Sequence, residues 1–312
     1  PFFFLSAAGV VNVFLNLFFV VVCKMDVAGV ALATSISQGI SALCVVIALL
    51  KNDGFFRFRF HEIRFHGNVA KEIALIGVPA GIQGMLFSIS NVLIQSSING
   101  FGPAVMDGNG AAASLEGFVY ATMNSVAQTA GSFVSANYGA KKPKNIRRTV
   151  TYAAILVVAA WMLSGGIVYF CRQPLLGLYL RPEDTEAFTA AGERMLAVCC
   201  TYFLCGLMDT FAYALRGVGR SVLSMTVCLA GVCGLRLAWI YLIFPHPAFH
   251  SIYSLMLSYP ISWIVTGAVE LLLFCIVFAK DRKHYFVDAT EVTATNETTA
   301  TNEAAEVNEA TR

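Results

Sequence analysis

Long runs of apolar residues without charge make up most of the chain, and this feature limits what it can fold into. A membrane-spanning helix needs about 20 apolar residues. Eight such runs can be counted, at 1–23, 27–50, 73–106, 108–140, 149–171, 195–215, 221–250 and 251–279. Because the runs are continuous rather than alternating, they predict helices and not a barrel. We therefore expect an all-α polytopic membrane protein with eight transmembrane helices.

The composition agrees with a membrane protein and argues against several other classes. The 312 residues are 57% hydrophobic and only 13% charged, whereas soluble domains contain about 25% charged residues. A net charge of +2 is too small to indicate nucleic-acid binding. The nine cysteines include no CxxC pair, so no disulfide framework or metal site is implied. His246 and His250 have metal-like spacing, but two ligands in an outer loop are better explained as surface histidines. We expect no metal and no cofactor.

Basic residues are concentrated in alternate loops, which predicts the orientation. One set of loops holds fifteen Lys and Arg residues and the other holds four, and cytoplasmic loops carry the excess. The 51–72 loop and the 280–312 tail should therefore face the cytoplasm of a plasma (inner) membrane. The end of the tail repeats Thr, Asn, Glu and Ala, so we expect it to be disordered.

A weak internal repeat indicates two related halves. Segment 8–15 resembles 230–237, and 35–38 resembles 260–263. A copy placed six helices further along the chain implies two six-helix lobes, so we interpret the chain as the C-terminal two-thirds of a twelve-helix protein. The predicted parts are the last two helices of the N-terminal lobe (1–50), the inter-lobe loop (51–72), the six-helix C-terminal lobe (73–279) and the tail (280–312).

Four short motifs resemble those of a known transporter family. They are GVPAGIQ at 77–83, GSFVSANYGA at 131–140, ALRGVG at 214–219 and GVALATSISQ at 29–38. In combination, and with two lobes joined by a cytoplasmic loop, they resemble the MATE (multidrug and toxic compound extrusion) family over about 1–279. The resemblance implies that the eight spans are the fifth to twelfth helices of a xenobiotic transporter that works by antiport.

Polar and aromatic residues recur at every fourth position in three of the predicted spans. Residues four apart lie on one face of a helix. The stripes consist of Gln83, Phe87, Asn91 and Gln95; Glu116, Tyr120, Asn124 and Gln128; and Cys205, Asp209 and Tyr213. Turned inwards, they would line a wet cavity for flat cationic molecules, which aromatic faces attract. The alternative is hydrogen bonding between helices without any substrate.

Four ionisable residues lie inside the predicted spans, where charges are costly and need partners. Glu116 and Arg236 enter from the same side to similar depth, so we predict that they form a buried charge pair. Glu270 lies nearer the cytoplasmic end of its span, and its side chain is expected to extend to the headgroups. The resemblance implies a coupling acid in the helix that contains Asp209, although its spacing to the 214–219 motif differs.

The family's second coupling acid, in the seventh helix, is absent here, which leaves Glu116 as the nearest candidate for that role.

The expected function is a cation-coupled antiporter, using Na⁺ or H⁺, that exports small cationic organic compounds. The alternative is a flippase of lipid-linked oligosaccharide from the same superfamily, which would need a strongly cationic cavity. A membrane-embedded enzyme would need polar clusters at the membrane face, so we expect no catalytic residues. The expected partners are the lipid bilayer, small organic cations and the N-terminal helices of the same chain, with no nucleic acid, and the protein should be a monomer.

Overall fold

Apolar runs form helices throughout the part of the chain that the structure describes. The structure is a computed structural model that describes residues 2–51, 64 and 66–284, and no strand occurs among them. The helices are α1 (Phe2–Leu17), α2 (Asp26–Lys51), α3 (Gly67–Asn99), α4 (Pro103–Gly139), α5 (Pro143–Phe170), α6 (Arg172–Leu176), α7 (Thr185–Arg194), α8 (Tyr202–Gly217), α9 (Ser221–Cys228), α10 (Leu235–Ala238) and α11 (Ile252–His284). The predicted all-α class is confirmed. Most of the 51–72 loop and the tail from 285 onwards lie outside the described residues, so the predictions for them stay untested.

Several helices are continued by π-helical turns, which widen the helix and reorient the residues that follow. One turn, Phe18–Val22, continues α1, and another, Met195–Cys199, leads from α7 towards α8. Two more, Leu229–Gly234 and Trp239–Ile243, flank α10. As a result α9, α10 and their π-helical turns form a single span from Ser221 to Ile243.

Six helical segments in the described residues are long and apolar enough to cross a membrane. They are Leu5–Val22, Asp26–Lys51, Gly67–Asn99, Pro143–Phe170, Ser221–Ile243 and Ile252–Arg282. The segments Thr185–Cys199 and Tyr202–Gly217 meet at a 40° bend and make a seventh span if they are counted together. Helix α4 is 37 residues long, but Asp107, Glu116 and many small polar residues lower its mean hydropathy. The predicted count of eight spans is therefore not confirmed.

The chain divides into two compact units, Pro1–Ala70 and Lys71–Arg312. In the first unit α1 packs against α2. Asn12 Nδ2 donates a hydrogen bond to Ser37 Oγ over 3.1 Å, and Ala8 and Ala33 are buried. Polar hydrogen bonds and small residues are the usual means by which membrane helices associate.

In the second unit α4 occupies the centre. It packs against α5, α7 and α8, and α8 in turn packs against α11. The side of α4 that faces these helices carries Leu115, Val119, Met123 and Ala127, all of which are buried. Because lipid tails are as apolar as these side chains, close packing rather than a hydrophobic driving force holds the helices together. The polar side chains of α4 are thereby fixed relative to α7 and α8.

The close approach of α7 to α4 depends on Gly108. A Cβ atom added at this position would overlap the backbone carbonyl of Ala187. The residues of α7 that face α4 are themselves small, namely Ala187, Ala190 and Ala191, and all three are buried. The two backbones can therefore lie in direct contact, which sets the positions of the polar residues further along both helices.

We expect Gly108→Val to destabilise the second unit by about 1–3 kcal/mol, because extra methyl groups at a close-packed contact force the helices apart. Gly110→Val is the matched control, since Gly110 lies on the same helix, is exposed and has nothing within 4 Å of an added Cβ. Thermal unfolding in detergent measures the difference. Equal melting temperatures for the two variants would contradict this account of the α4–α7 contact.

Candidate transport site

A buried ion pair joins α4 to α7. Glu116 lies about two turns after Gly108, and Arg194 ends α7 about two turns after Ala187, so the close approach brings the two side chains together. Arg194 Nη2 donates to Glu116 Oε2 over 2.7 Å, and Nε lies 3.2 Å and 3.1 Å from the two carboxylate oxygens. The residues are only 2% and 8% exposed. Both oxygens of Glu116 are thus occupied by one guanidinium.

The predicted pair of Glu116 with Arg236 is therefore wrong. Arg194 directly precedes the apolar run 195–215, and counting charges by loop assigned it to the outer surface. Helix α7 instead carries Arg194 into the protein, where its guanidinium reaches the carboxylate first. Arg236 faces α11, where its guanidinium donates a hydrogen bond to Ser262.

The pair extends into a chain of amide side chains. Arg194 Nη1 donates to Asn109 Oδ1 over 2.7 Å. Asn109 Nδ2 donates to Gln95 Oε1 over 3.0 Å, and Gln95 Nε2 donates to Asn99 Oδ1 over 3.0 Å. Gln95 and Glu116, which we predicted to line a cavity, thus take part in a network that links α3, α4 and α7. Neither Arg194 nor Asn109 was predicted from the sequence.

Arg236 is buried against α11, and its guanidinium lies over the same Tyr259 ring that the Arg194 guanidinium approaches to 5.7 Å. Its Nε donates to Ser262 Oγ over 3.2 Å, and Nη1 donates to Asn91 Oδ1 over 3.5 Å. The guanidinium carbon lies 4.2 Å from the ring centroid of Tyr259 and 5.9 Å from that of Trp263. Within the described residues no carboxylate forms an ion pair with it. Cation–π contacts and neutral hydrogen bonds compensate the buried charge instead.

Asp209 lies on the face of α8 that is turned towards α4, as the 205–209–213 spacing predicts. Its Oδ2 atom is buried and has no hydrogen-bond partner. The hydroxyl of Tyr120 and the guanidinium of Arg216 are its polar neighbours. Tyr120 is 37% exposed, and its ring centroid lies 6.1 Å from that of Tyr202. An acid with a vacant oxygen therefore sits beside aromatic rings, one of which reaches the surface of the unit.

An open cleft of about 940 Å³ lies between α4 and α8, and its lining begins at Tyr213, one turn after Asp209 on α8. Gln128, Tyr213 and Arg216 are among the residues that line it. Tyr213 donates to Asn124 Oδ1 over 3.4 Å, and the Arg216 guanidinium lies 5.0 Å from the Tyr213 ring centroid. The structure thus brings four predicted residues, Tyr120, Asn124, Gln128 and Tyr213, together with Asp209 on facing surfaces of α4 and α8.

The third predicted stripe, on α3, is divided among three surroundings. Gln83 is buried and accepts a hydrogen bond from Arg216 Nη2. Asn91 is exposed and faces Arg236, while Gln95 belongs to the Arg194 network. Residues four apart drift around a helix that has 3.6 residues per turn, so three turns of α3 meet different neighbours. Arg216 was assigned to a cytoplasmic loop, although its place in the 214–219 motif was a signal for a role in the site.

Glu270 is fully buried, with 0% exposure, and the prediction that its side chain extends to the headgroups is wrong. The apolar span of α11 continues to Arg282, about 18 Å beyond Glu270 at 1.5 Å per residue. That distance is too long for a glutamate side chain to cover. Glu270 Oε1 lies 3.3 Å from Ser224 Oγ and accepts from Cys228 Sγ over 3.2 Å.

Helices that are long and apolar enough to span a membrane, with a polar cleft and buried charges among them, indicate a multi-pass membrane protein. The family model described as MatE matches residues 79–242, which is more than half of the chain. The chain therefore belongs to the MATE family, and the resemblance noted in the motifs is confirmed.

Known relatives agree with this assignment. The multidrug export protein MepA of Staphylococcus saprophyticus is 23% identical over 231 residues, which cover 72% of this chain and 50% of that protein. The probable multidrug resistance protein YpnP of Bacillus subtilis is 26% identical over 196 residues, covering 63% of this chain and 43% of that protein. The chain thus spans about half the length of the curated relatives it matches.

The fold is also found among solved structures. A crystal structure of MATE in complex with MaL6 superposes with a TM-score of 0.80, covering 88% of this chain and 62% of that one. Its sequence identity is 16%, so this likeness concerns the fold alone.

Proposed function

We propose that this chain forms the larger part of a two-lobe antiporter that exports small organic cations in exchange for H⁺ or Na⁺. The observation that carries the proposal is the Asp209 carboxylate, whose buried Oδ2 atom has no hydrogen-bond partner among the described residues and which lies one turn before Tyr213 in the lining of the α4–α8 cleft. The multidrug names of MepA and YpnP support an organic cargo. Glu116 is less suited to coupling, because Arg194 occupies both of its oxygens.

In the proposed mechanism Asp209 holds either the coupling cation or the cationic cargo, but not both. Arg216 donates to Gln83 and lies against the Tyr213 ring, so it forms no ion pair that would occupy Asp209. The rings of Tyr120 and Tyr213 offer faces that attract an organic cation. Rocking of the two lobes would then expose the loaded site to alternate sides of the membrane.

Efflux of ethidium by the full-length protein in proteoliposomes tests this function. A Na⁺ gradient and a H⁺ gradient are imposed separately, and ethidium is followed by fluorescence. We expect one of the two gradients to drive ethidium transport against its own gradient. Vesicles without protein are the control, and the absence of transport with either gradient would contradict the proposal.

The proposed orientation places the basic segment 141–148, which includes the first turns of α5, in the cytoplasm. A cysteine at Asn145, which is exposed, should resist an impermeant thiol reagent in intact cells and react after permeabilisation. A cysteine at Glu183, exposed in the loop before α7, is the matched control and should react in intact cells. Labelling is measured relative to the wild-type chain, which has cysteines of its own. The reverse pattern would overturn the orientation.

A second candidate function, flipping of a lipid-linked oligosaccharide, is favoured by Arg236. Its buried guanidinium has no carboxylate partner in the described part of the chain and reaches the exposed Asn91, an arrangement that a pyrophosphate group could use. Vesicles containing a fluorescent pyrophosphate-linked polyisoprenoid distinguish the two candidates. Flipping of this lipid without ethidium efflux would favour the flippase.

A further inference from the structure

The surroundings of Glu270 form a buried polar cluster that shares Asp209 and Arg216 with the proposed site, although Glu270 itself takes no part in the cleft. Three oxygen atoms there are buried and have no hydrogen-bond partner within the described part of the chain: Glu270 Oε2, Thr266 Oγ1 and Asp209 Oδ2. Thr266 lies one turn before Glu270 on α11 and is 1% exposed. Its hydroxyl packs directly against Gly231, where any side chain would collide with it. The cluster is therefore buried and tightly packed.

Ser224 links Glu270 to the backbone of α8. Its hydroxyl oxygen lies 3.3 Å from Glu270 Oε1 and also 3.3 Å from the backbone carbonyl oxygen of Ala212. A serine hydroxyl has one hydrogen, so it can donate to only one of these two acceptors. When Ser224 donates to Ala212, its oxygen can accept a hydrogen from Glu270, and each of the two contacts then has a hydrogen of its own.

The vacant Oε2 atom agrees with a neutral acid. A buried ionised carboxylate needs partners for both oxygens, whereas the carbonyl oxygen of a protonated acid is much less costly to leave unpaired. The Sγ–H group of Cys228 donates to Oε1, and a thiol is a weak donor. One weak donor does not compensate a full negative charge with 0% exposure.

The charges of the cluster also require one more positive charge. From α8, Asp209 and Arg216 act electrostatically on Glu270, and from α9 the polar neighbours are Ser224 and Cys228. With both acids ionised, two negative charges would share the single guanidinium of Arg216. That guanidinium donates to Gln83. A proton on Glu270 makes the cluster neutral, as a buried site in a membrane protein requires.

We propose that Glu270 is a second proton-binding site, separate from the cleft, whose proton is held against Ser224 and is released when a cation binds at Asp209. Release converts the carboxylic acid to a carboxylate and sends one proton to the solvent. The positive charge of the bound cation replaces the positive charge of the proton that leaves Glu270, so the cluster stays neutral. A sodium ion fits less well, because hard cations prefer oxygen ligands and the Cys228 thiol occupies one side of the carboxyl.

The protonation of Glu270 is measured by infrared difference spectroscopy of the full-length protein in nanodiscs, as pH is raised without Na⁺. We expect wild type to lose a carboxylic-acid C=O band that shifts when glutamate carries a ¹³C carboxyl. Glu270→Gln should lack this band, while Glu72→Gln, changed at an exposed glutamate on α3, should keep it. Isotope labelling tests the wild-type protein even if Glu270→Gln fails to fold.

The release step rests on the proposed function and is measured separately, as protons released on addition of ethidium to weakly buffered protein. We expect release from wild type and from Glu72→Gln, and none from Glu270→Gln that still binds ethidium. The absence of the glutamate band, or its loss on addition of Na⁺ at constant pH, would overturn the proton site. If the glutamate band is present but ethidium binds without proton release, the coupling step is overturned. If the band is present and ethidium does not bind, the result counts against the proposed cargo instead.

Discussion

Glu116→Gln is expected to destabilise the protein strongly, because it leaves the Arg194 guanidinium buried without a counter-charge. Removing one partner of a buried pair typically costs about 3–5 kcal/mol. The pair also anchors Asn109 through Arg194 Nη1, so the amide chain to α3 should loosen as well. Thermal unfolding in detergent and the yield of folded protein from membranes measure the loss.

Adding Arg194→Met to Glu116→Gln should restore much of the stability. Methionine is apolar and of similar length, and it removes the stranded charge. Arg220→Met is the matched control, since Arg220 forms a looser pair with Asp281 at 3.8 Å and its side chain is 51% exposed. An exposed pair contributes only about 0–1 kcal/mol. Two results would contradict the role of this pair. One is a double variant that is less stable than Glu116→Gln alone, and the other is Glu116→Gln with a loss of stability no larger than that of Arg220→Met.

The helices could be predicted from the sequence because hydropathy is a local property. Runs such as 27–50 and 149–171 correspond closely to α2 and α5. Helix α4 is the exception, because its mean hydropathy is too low for it to be counted among the six membrane-spanning segments. It carries Glu116 for the ion pair and Asn124 and Gln128 for the cleft, so its polarity serves contacts with other helices.

The pairing of charges could not be predicted, because it depends on which helix faces lie in contact. The close approach at Gly108 places Arg194 beside Glu116, and nothing in the local sequence records that approach. Spacing did predict that Asp209 and Tyr213 share a face of α8, since both lie on the same helix. The burial of Glu270 was missed because α11 is longer than the estimated span.

Asp209→Asn is expected to abolish gradient-driven transport and to leave the fold intact. Asparagine has the same shape as aspartate and is always neutral, so no charge remains for the coupling ion and the cargo to exchange. The aromatic faces of Tyr120 and Tyr213 remain in place, so ethidium binding should persist at reduced affinity.

The central claim is that the Asp209 carboxylate couples ion movement to export. The most direct measurement is uphill ethidium efflux by full-length Asp209→Asn in proteoliposomes that contain the same amount of folded protein as the wild type. The account predicts that efflux against the ethidium gradient is lost while passive ethidium binding is retained. Efflux at the wild-type rate with unchanged dependence on Na⁺ or H⁺ would contradict it and would show that Asp209 is structural.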